Sequence, residues 1–164
     1  MNTALVSLLD YSGKELKWLN VACQKISQVV AIEKTSSIYI DEFEKGGREG
    51  GRETLVAALR VTTDDDVFEL WQKLKDIETS IHSEATHEVI KIILLTFASE
   101  IIMTPQTTIP HPKLHLFPQL LLPACEIMPN FQHPVLQKKL IDISHDIEKK
   151  WGRFFAQGSK LLDF

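Results

Sequence analysis

Apolar positions recur along this chain at two spacings, near two and near 3.6 residues, and the switches between them outline its elements. Residues 3–9 form a short apolar run that predicts a first strand. From 13 to 29, Leu16, Leu19, Cys23, Ile26 and then Val30 return at steps of three and four, which predicts a helix with one buried face. Residues 29–40, rich in β-branched side chains and ending Ser-Ser-Ile-Tyr-Ile, predict a second strand, and 54–63 a third. Asp64-Asp65-Asp66 then opens a second helix. An N-cap aspartate and acids at the positive end of the helix dipole explain this run more simply than a metal site does. Val67, Leu70, Trp71, Leu74, Ile77 and Ile81 make that helix's buried face. Residues 87–97 predict a fourth strand, almost continuously apolar from Val89, so both of its faces should be covered.

Strand, helix, strand, strand, helix, strand is the order of the split βαβ, or ferredoxin-like, arrangement. It predicts an α+β fold, with two helices covering one face of an antiparallel sheet. Between the second and third strands, 44–53 reads EKGGREGGRE, without one apolar residue. The segment lacks the Gly-Lys-Ser/Thr ending of a phosphate-cradling P-loop, so a mobile hairpin loop is expected. At the far end, Ile147, Trp151, Phe154 and Phe155 form an amphipathic stretch. Residues 146–164 are therefore expected as a tail, a helix packed on a single domain of residues 1–145, or else a docking surface.

Composition narrows the function classes. A chain of 164 residues, 44% hydrophobic and 24% charged, suits one globular core. A net charge of −4 offers no general attraction to nucleic acid or an anionic membrane. Apolar runs such as 92–95 are far too short to span a bilayer, and the first residues lack the basic-then-apolar pattern of a secretory signal. Cys23 and Cys125 sit among apolar helical positions, which predicts buried free thiols in a reducing cytoplasm.

The densest chemistry lies in 107–136, TTIPHPKLHLFPQLLLPACEIMPNFQHPVL. Pro110 and Pro112 flank His111 and hold it in a stiff, non-helical loop. Leu116, Leu120 and Ile127 then follow helical spacing up to Pro129, and a second X-His-Pro follows at Gln132-His133-Pro134. Ile-Pro-His-Pro, a short helix, Pro-x-x-Glu-Ile and His-Pro-Val-Leu together resemble the C-terminal half of the 6-hydroxymethyl-7,8-dihydropterin pyrophosphokinases (HPPK). Those enzymes of folate biosynthesis transfer a pyrophosphoryl group from ATP to a pterin alcohol with two magnesium ions. The resemblance covers residues 3–145. It implies the ferredoxin-like core with a further C-terminal hairpin and helices, which 99–144 would supply.

Residue by residue, the resemblance carries the fold further than the chemistry. The family's fourth strand bears Arg-Thr-Leu-Asp-Leu-Asp, whose aspartates share one face and hold the metals. Aligned through the apolar residues that follow, the stretch here is His87-Glu88-Val89-Ile90-Lys91-Ile92, with Ile90 and Ile92 at the aspartate positions and Lys91 pointing away. No pair of carboxylates at i, i+2 occurs anywhere in 81–98. The family's Gly-Ser-Asn becomes Leu9-Asp10-Tyr11, its pterin-pocket asparagine Val56, its stacking aromatic Gln119 and a basic residue Phe117. The arginine-bearing loop before the fourth strand corresponds to 79–86, which has no arginine. His111, with Lys113 beside it, stands at the nucleotide-contacting position. A relocated metal site could draw on Asp10, Glu84, Glu88 and His111. The remaining histidines (His82, His87, His115, His133 and His145) show no metal-ligand spacing and read as surface or helix-end residues.

Two expectations of different class result. The first is a degenerate pyrophosphokinase-like protein that binds a pterin, a nucleotide or a protein partner. The second is a working pyrophosphokinase with a non-standard site, which alone would need ATP and magnesium.

Overall fold

The computed structural model describes residues 1–13, 15–42, 53–147 and 151–164. Its elements run β1 (Asn2–Asp10), α1 (Lys17–Ser27), β2 (Ala31–Thr35), β3 (Ile38–Glu42), β4 (Glu53–Thr63), α2 (Val67–Ala85) and β5 (Ile90–Phe97). A two-stranded hairpin, β6 (Ile102–Met103) and β7 (Thr108–Ile109), follows, with α3 (Pro118–Ile127), α4 (Leu140–Ser144), β8 (Arg153–Ala156) and a terminal 3₁₀ helix (Gly158–Leu162). Among these residues the main sheet runs β5-β1-β4-β3-β8, with β2 also on β4 and every pairing antiparallel. The predicted α+β class and its ferredoxin-like order are both present.

Alternation along each strand divides the side chains between two layers. Val6, Leu8, Leu55, Ala57, Leu59, Ile90 and Ile92 pack with Leu19, Cys23 and Ile26 of α1 and Leu70, Leu74 and Ile81 of α2. Leu5, Ala58 and Leu95 face the other way, onto Leu120, Leu121 and Ala124 of α3 and Leu140 and Ile143 of α4. Both thiols are free and buried, and burial pushes the Cys23 thiol up to about 12. The acid run behaves as a helix start. Asp66 accepts from the Glu69 amide at 2.9 Å, Asp65 pairs with Lys73 at 2.7 Å, and Asp64 lies 3.7 Å from the N-terminal amine.

Several expectations are corrected. The helix expected over 13–29 begins only at Lys17, because Gly13 has φ +132° and the turn after it is not helical. The single strand expected over 29–40 is two strands. At the break, the Ser36 amide donates to the Ala58 carbonyl, and the Ser36 hydroxyl accepts from the Ala58 amide, each at 2.8 Å. A side chain thus takes over one ladder bond where the backbone turns away. Leu116 lies before α3 and is exposed. His133, expected at the surface, is buried. The loop expected over 44–53 lies outside the described residues except for Glu53.

The tail is the largest correction. It packs on the sheet, as a strand and a 3₁₀ turn in place of a helix. β8 pairs with β3 through Ile38↔Ala156, Tyr39↔Phe154 and Ile40↔Arg153, and Leu161 is fully buried in the layer beneath α1.

Candidate functional site

The expected nucleotide-side histidine stands in a cleft that runs from the sheet face opposite α1 and α2 round the β5 edge to α2. A cis peptide joins Ile109 to Pro110. The His111 amide donates to the Leu95 carbonyl at 2.8 Å, which fixes the loop against β5. His111 Nδ1 accepts from the Lys113 amide at 3.2 Å, so in the neutral ring the proton sits on Nε2. Burial, reinforced by the ammonium groups of Lys91, Lys113 and Lys75, holds the imidazole below its usual pKa. His133 repeats the device, its Nδ1 accepting from the Val135 and Leu136 amides at 3.3 and 3.1 Å.

Two adjoining chambers share Lys91, Ile93, His111 and Pro112 as walls. One, of about 280 Å³, lies between Trp71 and Lys75 of α2 and the β6–β7 turn at 104–108. The other, of about 320 Å³, lies between Leu9 and Tyr11, Asp41 and Thr54, and the segment that enters α3, with Lys113, Phe117, Gln119 and Leu120. The Lys113 ammonium lies 5.1 Å from the centroid of the Phe117 ring. Asp41 is drawn into the wall by Trp151, whose indole N–H donates to its carboxylate at 2.7 Å. Burial raises the Asp41 pKa and the indole bond partly offsets that.

The faces of β5 are the reverse of the expectation. Ile90 and Ile92 turn into the core beneath the helices, and Lys91 and Ile93 line the cleft. A strand has period two, so an alignment shifted by one residue exchanges every side chain between faces. Neither register supplies a carboxylate. Val56 is wholly buried beside Leu9 and Tyr39, and Thr54, two residues earlier, reaches the cleft. Gln119 does line the cleft, and the aromatic rings of that chamber come from Phe117 and Tyr11. The four residues of a relocated metal site are not brought together. Asp10 faces the helix layer and bonds Ser12, and Glu84 pairs with Lys25 at 3.1 Å. Among the described residues no group of three or more His, Cys, Asp or Glu could hold a metal ion. Among the described residues that line the two chambers Asp41 is the one carboxylate, and the Trp151 indole N–H engages it. β5 adds none, so the cleft lacks the pair of acidic oxygens on one strand face that would hold magnesium against phosphates.

Sequence reasoning missed Thr54, Asp41, Ile93, Lys75 and Trp71 as cleft residues. One signal could have found Ile93. Lys91 is the only polar residue of the apolar run 89–95, and a lysine marks the wetter face of a strand.

No family model matches the sequence. The 2-amino-4-hydroxy-6-hydroxymethyldihydropteridine pyrophosphokinase of Aquifex aeolicus (strain VF5) is 28% identical over 144 residues, covering 85% of this chain and 89% of that protein. The chain is similar in sequence to the HPPK enzymes. The fold agrees: the Plasmodium falciparum HPPK-DHPS wild-type structure superposes with TM-score 0.68 at 13% identity, over 88% of this chain and 44% of that one. An HPPK-DHPS in complex with substrates gives TM-score 0.73 at 12% identity, over 89% of this chain and 45% of that one. The chain thus spans less than half the length of these solved proteins.

Proposed function

We propose that this HPPK-like chain binds a small ligand in the His111 cleft and does not carry out magnesium-dependent transfer of pyrophosphate from ATP to a pterin alcohol. One observation carries the reading: the cleft face of β5 presents Lys91 and Ile93, an ammonium and an alkyl group. Divalent cations bridge two sets of negative oxygens, those of the phosphates and those of the protein. An isoleucine offers no ligand, and a lysine repels the cation. Two free, buried thiols suit a reducing cytoplasm as the compartment.

AMP release tests the proposal. The purified chain is held at high concentration with ATP, magnesium and 6-hydroxymethyl-7,8-dihydropterin, and AMP is followed for hours. No AMP above a protein-free control is expected from a sample with native circular dichroism. AMP formed in step with the pterin diphosphate would overturn the reading in favour of an enzyme with a non-standard site.

A further inference from the structure

The charge that disqualifies magnesium suits a different task. We infer that the cleft takes a diphosphate-bearing ligand directly on its ammonium groups, with no metal ion between. This rests on the binding reading above and names its ligand class. Lys91 and Lys113 both line the larger chamber beside His111, and Lys75 stands across the smaller one. All three lie close enough to His111 to depress its basicity. Lys75 is held by Glu78 at 3.5 Å, whereas Lys91 and Lys113 form no ion pair among the described residues. Against these ammonium groups stands one carboxylate among the described lining residues, Asp41, engaged by the Trp151 indole N–H. The chain as a whole carries −4, so the excess of positive charge is local to the cleft and not a general property of the surface. Lysine binds phosphate as a point charge, and walls of low polarity such as Ile93, Pro112 and Phe117 strengthen that attraction.

Polyphosphate in water ordinarily travels with a divalent cation, and a pocket of carboxylates must keep that cation to bind the anion at all. A pocket that supplies its own positive charge inverts the dependence: magnesium then competes with the protein for the phosphates. Removing magnesium should leave binding intact or strengthen it.

The experiment is calorimetric titration of the full chain with inorganic pyrophosphate in EDTA, then in excess magnesium. Saturable one-to-one binding in EDTA is expected, weakened by magnesium and by added salt. Lys91→Gln should lower the affinity about tenfold or more, since hydrogen bonds to charged groups contribute on that scale. Lys91 is exposed, so the variant should keep the native circular dichroism. Parallel titrations with ATP and with the pterin diphosphate distinguish the two sources of the same group, and tighter binding of either supports the inference. Binding seen only with magnesium, no binding at millimolar pyrophosphate, or Lys91→Gln binding like the parent would each overturn it. AMP release is a separate readout. A chain that releases no AMP and binds no pyrophosphate keeps the binding reading and loses this ligand class.

Discussion

Substituting aspartate at Ile92 and at Ile93 separates the two faces of β5 by experiment. Ile92 is wholly buried among the side chains of α1 and α2. A carboxylate there meets no donor, and an uncompensated buried charge costs about 3–5 kcal/mol, a large part of the roughly 5–15 kcal/mol that holds a domain folded. Ile93 borders both chambers and is only partly buried, on the same face as Lys91. A carboxylate there reaches water and a lysine two residues away, and its cost should stay within about 1 kcal/mol. Urea denaturation of both variants checks this, and equal damage from the two would mean that the cleft face has been assigned to the wrong residues. The histidine loops show what residue spacing can reveal. His111 and His133 each precede a proline, and in each the ring Nδ1 accepts an amide two residues on. Proline has no N–H to offer, so the next free amide is the nearest local donor. That the two histidines share one local geometry was legible from the two X-His-Pro triplets. That one lines a cleft and the other is buried depends on packing that no triplet encodes.

The outer edge of β5 is closed by one row of α2 side chains. Lys75, Glu78 and His82 follow at helical steps of three and four. Glu78 accepts from the Ile92 amide at 2.8 Å, Lys75 donates to the Ile92 carbonyl at 3.3 Å, and His82 Nε2 donates to the Ile90 carbonyl at 2.8 Å. An edge strand with bare amides is a template for unwanted pairing, and here charged side chains occupy it. Glu78→Ala leaves the Ile92 amide without its acceptor. The expected loss is about 1–2 kcal/mol, or about 4 °C in Tm for a chain of this size, with faster hydrogen exchange at that amide. Unchanged exchange at Ile92 would remove α2 from the role of edge cover. The same elements mark how far the sequence could be read. α2 was legible because one face is apolar and the other charged, so its register is written in the contrast. β5 was legible as a strand and illegible in its faces, because both are covered and five of its first six residues are apolar. α3 carries an acid in its last turn, a poor choice against the helix dipole, yet Glu126 accepts from the Ser37 amide, the Ser37 hydroxyl and the Tyr39 hydroxyl. Its reason lies on a strand nearly ninety positions away, beyond any local pattern.

Across the whole molecule, the tail does for β3 what α2 does for β5. β8 pairs along the free edge of β3, the Trp151 ring lies 5.7 Å from the Tyr39 ring, and the indole N–H reaches Asp41 in the cleft wall. The 3₁₀ helix then closes over β2 and α1, where Asn20 donates to the Lys160 carbonyl at 2.6 Å. The approach is close: a Cβ at Gly158 would collide with the Ser36 carbonyl oxygen. The amphipathic spacing of Ile147, Trp151, Phe154 and Phe155 suggested a helix because an irregular strand and turn can mimic its period over ten residues. Leu161 decides whether this closure holds the fold together or merely rests on it. Its side chain is fully buried in the core beneath α1, so Leu161→Ala removes apolar contacts and leaves a cavity, at a cost of about 2–4 kcal/mol. Guanidinium denaturation should show that loss, with faster hydrogen exchange along β3 as β8 loosens. A tail that served only as an external docking surface would give a variant as stable as the parent, with β3 protected as before. Because Trp151 also holds Asp41, loosening the tail should disturb the cleft wall from a distance, through the strand and not through any contact of Leu161 with the cleft.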